Sequence, residues 1–464
     1  MRKWYKAISF LLFLVCAGLV SCNRAATKGN EEESIQKMAS LPEEALLDTV
    51  QHQTFRYFYD FAHAKSGMAR ERSEPAKRGS AGVPNLENIV TTRGTGFGVM
   101  AFPVAVERGW ITRDKAVNHL SKIVSFLESC KRFHGMWAHW YDGNTGKVST
   151  LSKYDNGGDL VESAFLLQGL LTVREYFDSN SDKEVNLRST ITRLWEEAEW
   201  DWYTNGKPWL YWHWSPDYGF KINMPIMGFD ESMIAYVLAV ASPTHPIKPS
   251  LYQTGWAIDH NDRFKEKGDY VQRLQIGENN NSGGPLFFTH YSFLGLTPYI
   301  TDKYVQEAGY ADYATHNKAM VDYCYDWCLK HGYPKNCWGL TSSDDPEKGY
   351  RVHAAEVGRR GDNGTISPTA AISSIVYTPE KSLAFIRYLL HEHGGNMWKE
   401  YGFKDAFNLK YDWYAPAYLA LDQGPMIIMI ENYRTGLLWK NFMKNPEIPK
   451  ALEKLGLKQT KQVL

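Results

Sequence analysis

The sequence predicts an all-α protein: a barrel of helical hairpins in which an inner ring of helices is wrapped by an outer ring. Apolar residues recur with the helical period along most of the 464 residues, and the alternation typical of strands is scarce. Strongly apolar helices also alternate with two-faced ones, and helices apolar on all sides lie inside a protein while amphipathic helices cover them. About five such pairs can be counted from the periodicity, and a sixth within 250–310 would complete an (α/α)6 barrel. A helical solenoid would show the same alternation, but no fixed repeat length is visible.

The elements follow one another in a consistent order. The two-faced helices are predicted at 42–63, 114–130, 186–203, 313–331 and 379–395, and the apolar ones at 160–176, 231–241 and from Gln423 onwards. Ser367 followed by Pro368 is typical of a helix N-terminus. A Gly-rich segment, 91–109, is expected to place Arg93 at a further helix start, next to a cavity.

The N-terminus predicts export and a lipid anchor. A basic start precedes an apolar run, 8–20, which is too short to span a membrane and is typical of a secretory signal. The LVSC sequence ending at Cys22 resembles a bacterial lipobox, in which the cysteine is acylated. We therefore expect a signal peptide over 1–21, a polar tether over 22–41 and one barrel domain over 42–464. Acidic residues follow Cys22 only at 31–33, which favours an outer-membrane position facing the periplasm.

Charge and composition narrow the classes of partner. The chain balances 52 Lys and Arg against 52 Asp and Glu, which argues against nucleic acid or an anionic membrane surface as partner. Contact with a membrane is expected only through the lipid anchor, and we expect a monomer. The six cysteines, Cys22 included, are too few for a disulfide scaffold.

Aromatic residues are abundant, at 14% of the chain, and many lie in polar loops such as 136–143, 208–220 and 336–350. Trp and Tyr mixed with His, Asp and Gly suit a surface that is apolar on one face and hydrogen-bonding at its edge, as a sugar ring requires. A protein interface is the weaker alternative. The candidates for contact with a sugar are Arg93, Trp137, His139, Trp140, Trp212, His213, Trp214, Trp338 and Trp413.

Carboxylates stand before or within the first turn of three apolar helices. They are Asp155, Asp159 and Glu162; Asp230 and Glu231; and Asp422. Inner helices of such a barrel start at one end, so these acids are expected to converge there. Capping of helix N-termini explains part of the pattern, especially for Asp159 and Asp230. A gathered set of carboxyl groups ringed by aromatic residues is also what cleavage of a glycosidic bond requires, with one acid and one base.

Other motifs point less clearly to a function. Gly94, Gly96 and Gly98 follow no predicted strand and have the wrong spacing for a dinucleotide site. Cys324, Cys328 and Cys337 fit no common zinc spacing. The pair at 344–345 lacks the ligand spacing of an EF-hand, and no Gly-x-Ser-x-Gly motif is present. We expect neither a metal nor a cofactor.

Several long segments carry a family resemblance. They are HGMWAHWYDGNTGK (134–147), SKYDNGGDLVESAFLLQGLL (152–171), MGFDESM (227–233), WGLTSSDDPEKGY (338–350), DNGTISPTAAISS (362–374), YGFKDAFN (401–408) and ALDQGPMIIMIENYRTGLLW (420–439). In these segments the chain resembles the bacterial glucoamylase-like proteins of glycoside hydrolase family 144, known for cleaving β-1,2-glucan. The resemblance covers about residues 91–439.

The resemblance implies an (α/α)6 barrel and an inverting glycoside hydrolase. It implies Glu231 as general acid and Asp422 as general base, acting on water through a substrate hydroxyl, with Asp155, Asp159 and Glu162 around the cleavage point. The substrate would be a β-1,2-glucan polymer or oligosaccharide, cut internally or from an end. The alternatives are an exo-hydrolase of another glucan, as the word glucoamylase suggests, and a lipoprotein that binds a glycan without cleaving it.

Overall fold

The computed structural model describes residues 32–74, 86–150, 152–258, 274–277, 283–356 and 361–462. The expected signal peptide and Cys22 lie outside the described residues. Residues 32–39 are helical, with Ile35 and Ala39 buried, so ordered structure begins inside the segment expected to be a polar tether. Within the described residues, no helix combines the length and apolar character needed to cross a bilayer.

Helices dominate the described chain. The α-helices are α1 (Glu43–Tyr59), α2 (Thr92–Glu107), α3 (Arg113–Ser129), α4 (Leu160–Tyr176), α5 (Asp182–Glu196), α6 (Met233–Ala241), α7 (Ser250–Thr254), α8 (Lys303–Glu307), α9 (Tyr313–Lys330), α10 (Pro368–Ser373), α11 (Pro379–Met397), α12 (Ala420–Arg434), α13 (Leu437–Lys444) and α14 (Glu447–Leu455).

The strands are short and pair antiparallel. They are β1 (Ile89–Thr91), β2 (Trp140–Asp142), β3 (Val148–Ser149), β4 (Gly158–Asp159), β5 (His213–Trp214), β6 (Ile300–Thr301), β7 (Thr365–Ile366), β8 (Trp398–Lys399), β9 (Gly402–Phe403), β10 (Phe407–Asn408), β11 (Trp413–Tyr414) and β12 (Lys458–Gln459). Their sheets have the orders β1-β2-β3, β11-β10-β7, β12-β6, β4-β5 and β8-β9.

In spatial order, the inner ring consists of α12, α2, α4, α6, two 3-10 turns over 286–293, and α10. The contact between α10 and α12 closes the ring. The outer helices α1, α3, α5, α9, α11 and α14 pack against this ring. The side chains of α4 and α6 are buried along nearly their whole length, because these helices face neighbours on every side. The predicted (α/α)6 barrel is therefore confirmed.

The sixth inner element has no continuous helical pattern in the sequence because it is not an α-helix. Residues 286–289 and 291–293 form two 3-10 turns, and α9 packs against the first of them. His290, between the two turns, is hydrogen-bonded through Nε2 to Ser374 Oγ just after α10, at 3.0 Å. This contact links the sixth element to its neighbour in the ring.

Several predicted helix boundaries are wrong, and two of them have clear local reasons. The helix expected over 186–203 begins at Asp182, because Ser181 caps it, and 202–204 form a separate 3-10 turn. The helix expected to begin near Gln423 begins at Ala420 and contains Pro425. Proline has no N–H to donate, so the helical bond to the carbonyl of Leu421 is missing, and the Tyr291 hydroxyl lies 3.5 Å from that oxygen.

Short strands fix the loops at the starts of inner helices. β1 leads into α2, β4 into α4 and β7 into α10. β4 pairs with β5, with Asp159 opposite His213, and β1 pairs with β2, with Thr91 opposite Trp140. These pairings hold side chains from distant parts of the sequence at one rim of the barrel.

Candidate active site

Arg93 and Glu162 form a buried ion pair where α2 and α4 begin. Arg93 Nε lies 2.6 Å from Glu162 Oε1, and the Arg93 backbone N–H donates to Oε2 at 3.1 Å. Burial alone would raise the pKa of Glu162, but the guanidinium and its hydrogen bonds outweigh burial and lower that pKa. Glu162 is therefore ionised at neutral pH and already bound, which makes it a poor proton donor.

Asp159 caps α4 and also contacts an aromatic side chain. Its Oδ1 accepts the N–H of Glu162 at 2.9 Å, and its Oδ2 accepts the indole N–H of Trp212 at 3.2 Å. The capping role is thus confirmed. Burial and the negative charge of Glu162 together raise the pKa of Asp159 to about 7.

Asp155 lies between two histidines. The Oδ2 atom of Asp155 is 3.9 Å from His139 Nδ1, and its Oδ1 is 3.5 Å from His213 Nε2. Burial lowers the pKa of His139, but the charges of Glu162, Asp159 and Asp155 outweigh it and leave that pKa raised. Burial and the neighbouring His139 lower the pKa of His213 to about 4. The surroundings thus favour the charged form of His139 and the neutral form of His213.

The same group contains the arrangement closest to a metal site in the described residues. His139, Asp155 and Asp159 each place one potential ligand atom within 4.8 Å of the others. A histidine ligand must be neutral, however, and the surrounding carboxylates favour protonation of His139. Protonation of His139 would offset the negative charge of the neighbouring carboxylates, so the residues fit a metal ion poorly.

Asp230 and Glu231 lie just before α6, and Glu231 is in a turn and not in the helix as predicted. Asp230 Oδ1 accepts the Ser232 N–H at 2.8 Å and the indole N–H of Trp256 at 3.1 Å, and α6 begins at Met233. Burial, then the negative charge of Asp230, raises the pKa of Glu231 to about 8. A carboxyl group in this state is protonated at neutral pH and can donate its proton.

Asp422 lies in the first turn of α12 and is 1% exposed. Its carboxyl is within hydrogen-bonding distance of the carboxyl of Asp405. In the described part of the chain, no N–H or O–H group donates to either oxygen of Asp422. Burial, followed by the charge of Asp405, raises the pKa of Asp422 well above its ordinary value.

Tyr291 connects the two ends of this carboxyl set. The Arg93 guanidinium lies 5.8 Å from the centre of the Tyr291 ring, and the Tyr291 hydroxyl faces the start of α12. Burial raises the pKa of Tyr291 well above its ordinary value, and the charges of Asp422 and Glu231 both add to the effect. Glu231 and Asp422 therefore lie within electrostatic range of one hydroxyl group, and the acids meet at one rim of the barrel.

Most of the aromatic and basic candidates surround these carboxyls. Trp212 contacts Asp159, while His139 and His213 flank Asp155. Trp140 donates its indole N–H to Glu71 at 3.1 Å. Trp214 is half-buried on β5, next to His213, and its ring meets those of His134 and Trp202 edge-on.

Two tryptophans expected to contact a sugar lie in the hydrophobic core. Trp137 and Trp338 are fully buried there. Trp137 donates to the Leu127 carbonyl at 3.1 Å, and the Trp338 ring packs edge-on against Tyr325 and Phe385. Both predictions are wrong because a polar loop can turn a single large ring inwards. Trp413 is half-buried on β11, opposite Asn408.

Five residues of the rim were not singled out from the sequence as site residues: Glu71, Arg72, Tyr291, Asp344 and Asp405. Tyr291 lies in a 3-10 turn that has no clear periodic pattern. In the sequence, Asp344 stands out only as a candidate calcium ligand, and Asp405 lies in a short loop of the segment YGFKDAFN. A buried acid in a loop differs from an exposed one only through its neighbours, so the sequence contains no direct signal for these residues.

Comparison with known proteins places the chain in a family. Residues 223–446 match the family model Glycoamylase, described as "Putative glucoamylase". An endo-β-1,2-glucanase from Chitinophaga pinensis is 44% identical, with a TM-score of 0.80 over 90% of this chain and 99% of that one. The chain belongs to the glucoamylase-like proteins of glycoside hydrolase family 144. The resemblance recognised in the sequence is confirmed.

Two further relatives of this glycoside hydrolase family 144 member come from Parabacteroides distasonis. An exo-β-1,2-glucooligosaccharide sophorohydrolase acting at the non-reducing end is 40% identical over 457 residues, which is 93% of this chain and 60% of that protein. A β-1,2-glucanase structure from the same organism has a TM-score of 0.81 and 40% identity, over 90% of this chain and 60% of that one. The present chain thus spans 60% of the length of the curated relative.

Proposed function

We propose that this protein is a glycoside hydrolase that cleaves β-1,2-linked glucan with inversion, using Glu231 as general acid and Asp422 as general base. The observation that carries the proposal is the position of Glu231. Its carboxyl is buried, its pKa is raised to about 8, and it shares the rim of the barrel with Asp422. Relatives named for β-1,2-glucan cleavage, covering 90% or more of this chain, support the substrate class.

The reaction uses the two carboxyls on opposite sides of the bond. Glu231 donates its proton to the glycosidic oxygen as the C–O bond to the anomeric carbon breaks. A water molecule attacks that carbon from the other face, and its proton passes to Asp422 through a substrate hydroxyl. Bond cleavage and attack from opposite faces invert the configuration. The product carries a new reducing end in the α-configuration.

The other rim residues bind and orient the sugar in this proposal. The Trp212 and Trp214 rings offer apolar faces for sugar C–H groups, while Asp155 and Asp159 accept hydrogen bonds from hydroxyls. The ion pair between Arg93 and Glu162 holds the starts of α2 and α4 in register. Many polar groups can therefore share the binding of the sugar, whereas proton transfer depends on the two carboxyls of Glu231 and Asp422.

Conservative variants test the two roles. Purified Glu231→Gln and Asp422→Asn proteins are expected to release reducing ends from linear β-1,2-glucan about 10²–10⁴ times more slowly than the wild type. Glu392→Gln makes the same chemical change on the exposed side of α11 and should keep full activity. Wild-type rates in both site variants would refute the assignment, and glucan binding without any cleavage by the wild type would favour a glycan-binding lipoprotein.

The mode of cleavage is tested by the products. Relatives of this chain are named both for internal cleavage and for release of sophorose from the non-reducing end. A rapid fall in polymer viscosity with mixed oligosaccharides would assign internal cleavage. Sophorose as the only early product would assign the exo mode. Activity on α-linked glucans and none on β-1,2-glucan would instead assign a glucoamylase-type exo-hydrolase.

We further propose that the protein is anchored in the outer membrane through lipidated Cys22, facing the periplasm. The support is the basic start, the apolar run and the LVSC sequence. Metabolic labelling with a clickable fatty acid should mark the wild type and not Cys22→Ser. A labelled Cys22→Ser protein, or wild-type protein found only in the medium, would contradict the anchor.

A further inference from the structure

Two further buried carboxyls, Asp344 and Asp405, accompany the proposed base Asp422. Asp344, Asp405 and Asp422 are 4%, 1% and 1% exposed. They come from three separate parts of the sequence and meet where the loop before α12 passes β10. Neither Asp344 nor Asp405 has a role in the mechanism above. Because buried carboxyls are unfavourable without partners, their arrangement needs an explanation.

One oxygen of Asp405 is fixed and the other faces no ordinary donor. Its Oδ2 accepts the backbone N–H of Asp344 at 2.6 Å. Within the described chain, its Oδ1 and both oxygens of Asp422 accept no hydrogen bond from an N–H or O–H group, although the two carboxyls are within hydrogen-bonding distance of each other. Two buried carboxylates this close cannot both be ionised, so a proton between them is the bond that satisfies both.

The charges around the pair are accounted for. Arg72 Nη2 lies 2.5 Å from Asp344 Oδ2, and this buried guanidinium balances the charge of Asp344. The other titratable groups that act on Asp405 and Asp422 are Glu71, Tyr291 and Tyr350. In the described residues, no cation makes a direct ion pair with Asp405 or Asp422. One shared proton therefore leaves the pair with a single negative charge.

We propose that Asp405 is a positioning residue that shares one proton with Asp422 and holds the proposed base in its working orientation. The proposal rests on the function proposed above. Asp344, fixed by Arg72, holds Asp405 through its backbone N–H. Asp405 in turn donates the shared proton to one oxygen of Asp422. The other oxygen of Asp422 carries the charge and accepts the proton that the substrate hydroxyl passes on.

The proton balance of the cycle is closed. The attacking water forms its bond to the anomeric carbon and gives up one proton, so the Asp405–Asp422 pair then holds two. Glu231 has lost its proton to the leaving oxygen. After product release the pair returns one proton to solvent and Glu231 regains one, which restores the starting state without any other reactant.

Two substitutions at Asp405 separate proton sharing from plain packing. In Asp405→Asn the amide carbonyl can accept the Asp344 N–H, and the amide NH₂ can donate to Asp422 as the shared proton does. We expect kcat within about tenfold of the wild type and an acidic limb of the pH–kcat profile within about half a pH unit. Asp405→Ala removes the donor, so kcat should fall at least about 100-fold and the acidic limb should move to higher pH, with KM little changed.

Each result decides the proposal. A downward shift of the acidic limb by more than one pH unit in Asp405→Asn would show that Asp405 is ionised in the wild type, and would overturn proton sharing. So would an Asp405→Ala enzyme with wild-type kcat and profile. A wild type inactive on every β-1,2-glucan would refute the proposed function and not the pairing.

The pairing also has a readout that does not depend on activity. Asp405→Asn is expected to fold, because it keeps both hydrogen bonds and removes a buried acid. Its Tm relative to the wild type should rise between pH 4 and pH 9. Over this range the folded wild type keeps the shared proton that its unfolded chain releases, which lowers the stability of the wild type alone. A Tm difference that does not change with pH would overturn the proposal.

Discussion

At the scale of single residues, chemically similar carboxyls at one rim are driven to different protonation states. Glu162 is paired with the Arg93 guanidinium, and its pKa is lowered. Glu231 is just as buried a group but faces the negative charge of Asp230, and its pKa is raised to about 8. The pKa values of two glutamates in one site thus differ because of their surroundings and not their residue type. Such a difference distinguishes a candidate proton donor from a group that stays ionised.

The pH dependence of activity should carry this signature. A raised pKa keeps Glu231 protonated below about pH 8, so its proposed role as acid is possible at pH 7 and is lost as the pH rises through about 8. We expect a basic limb near pH 8 in kcat/KM on β-1,2-glucan. Asp230→Asn removes the nearby negative charge and should move that limb to lower pH. A basic limb near pH 5 in the wild type would contradict the role of Glu231.

The buried ion pair of Arg93 makes a prediction about stability. Arg93→Met would leave Glu162 charged, 0% exposed and without its main partner. Such unpaired buried charges cost about 3–5 kcal/mol, measurable as a fall in the free energy of unfolding in urea. Lys183→Met breaks an exposed pair with Asp114 and should change it by less than about 1 kcal/mol. Equal effects of the two variants would contradict the buried pairing.

At the scale of elements, the inner helices α2 and α4 approach so closely that glycine is required between them. A Cβ atom on Gly169 would lie 2.1 Å from the Gly96 carbonyl oxygen, and one on Gly96 would lie 2.5 Å from the Phe165 carbonyl oxygen. These are backbone atoms, which cannot rotate away as a side chain can. The close approach also brings Arg93 and Glu162, one on each helix, into contact.

Substitution at this crossing should destabilise the barrel. Gly169→Ala forces the two backbones apart, and overpacking of this kind costs about 1–3 kcal/mol or more. Gly395→Ala, within α11, is the control. A Cβ atom on Gly395 would meet only the flexible Glu32 side chain, at 3.4 Å. Alanine favours a helix by about 1 kcal/mol over glycine, so the control should be neutral or stabilising. Thermal unfolding that ranks the two variants in the opposite order would contradict the close approach.

At the scale of the whole molecule, stability rests on one hydrophobic core that extends from Ile35 to Leu457. The cysteines contribute to it as small apolar side chains. Cys130, Cys324, Cys328 and Cys337 are all buried and free. A zinc or disulfide role for these four residues therefore has no support in the structure, and their burial raises the pKa of Cys130 and Cys337 to about 12.

Reducing agents should therefore leave the fold unchanged. We expect the same Tm with and without dithiothreitol, because no disulfide joins the described cysteines. Thiol reagents should label these four cysteines only after denaturation, since reactivity requires an exposed thiolate. A lower Tm in dithiothreitol would contradict the free state of these thiols.

The architecture and the acids at the starts of three inner helices could be predicted from the sequence alone. Helical periodicity marked α4 from Leu160 to Tyr176, as observed, and the alternation of apolar and two-faced helices predicted the (α/α)6 barrel. Periodicity is a local property that every turn of a helix repeats, so it survives in the sequence. The sixth inner element, built from 3-10 turns, has no such repeat, so only its place within 250–310 could be predicted and not its structure.

Which side chains act together depends on the tertiary structure. It placed Trp137 and Trp338 in the core, tied Glu162 to Arg93, and brought Asp405 against Asp422 from a different loop. Burial and charge pairing depend on groups far apart along the chain, and these two properties set the pKa of each acid. A local sequence pattern can place a carboxyl at a helix start, but the protonation state of that carboxyl is set by the groups around it in the folded protein.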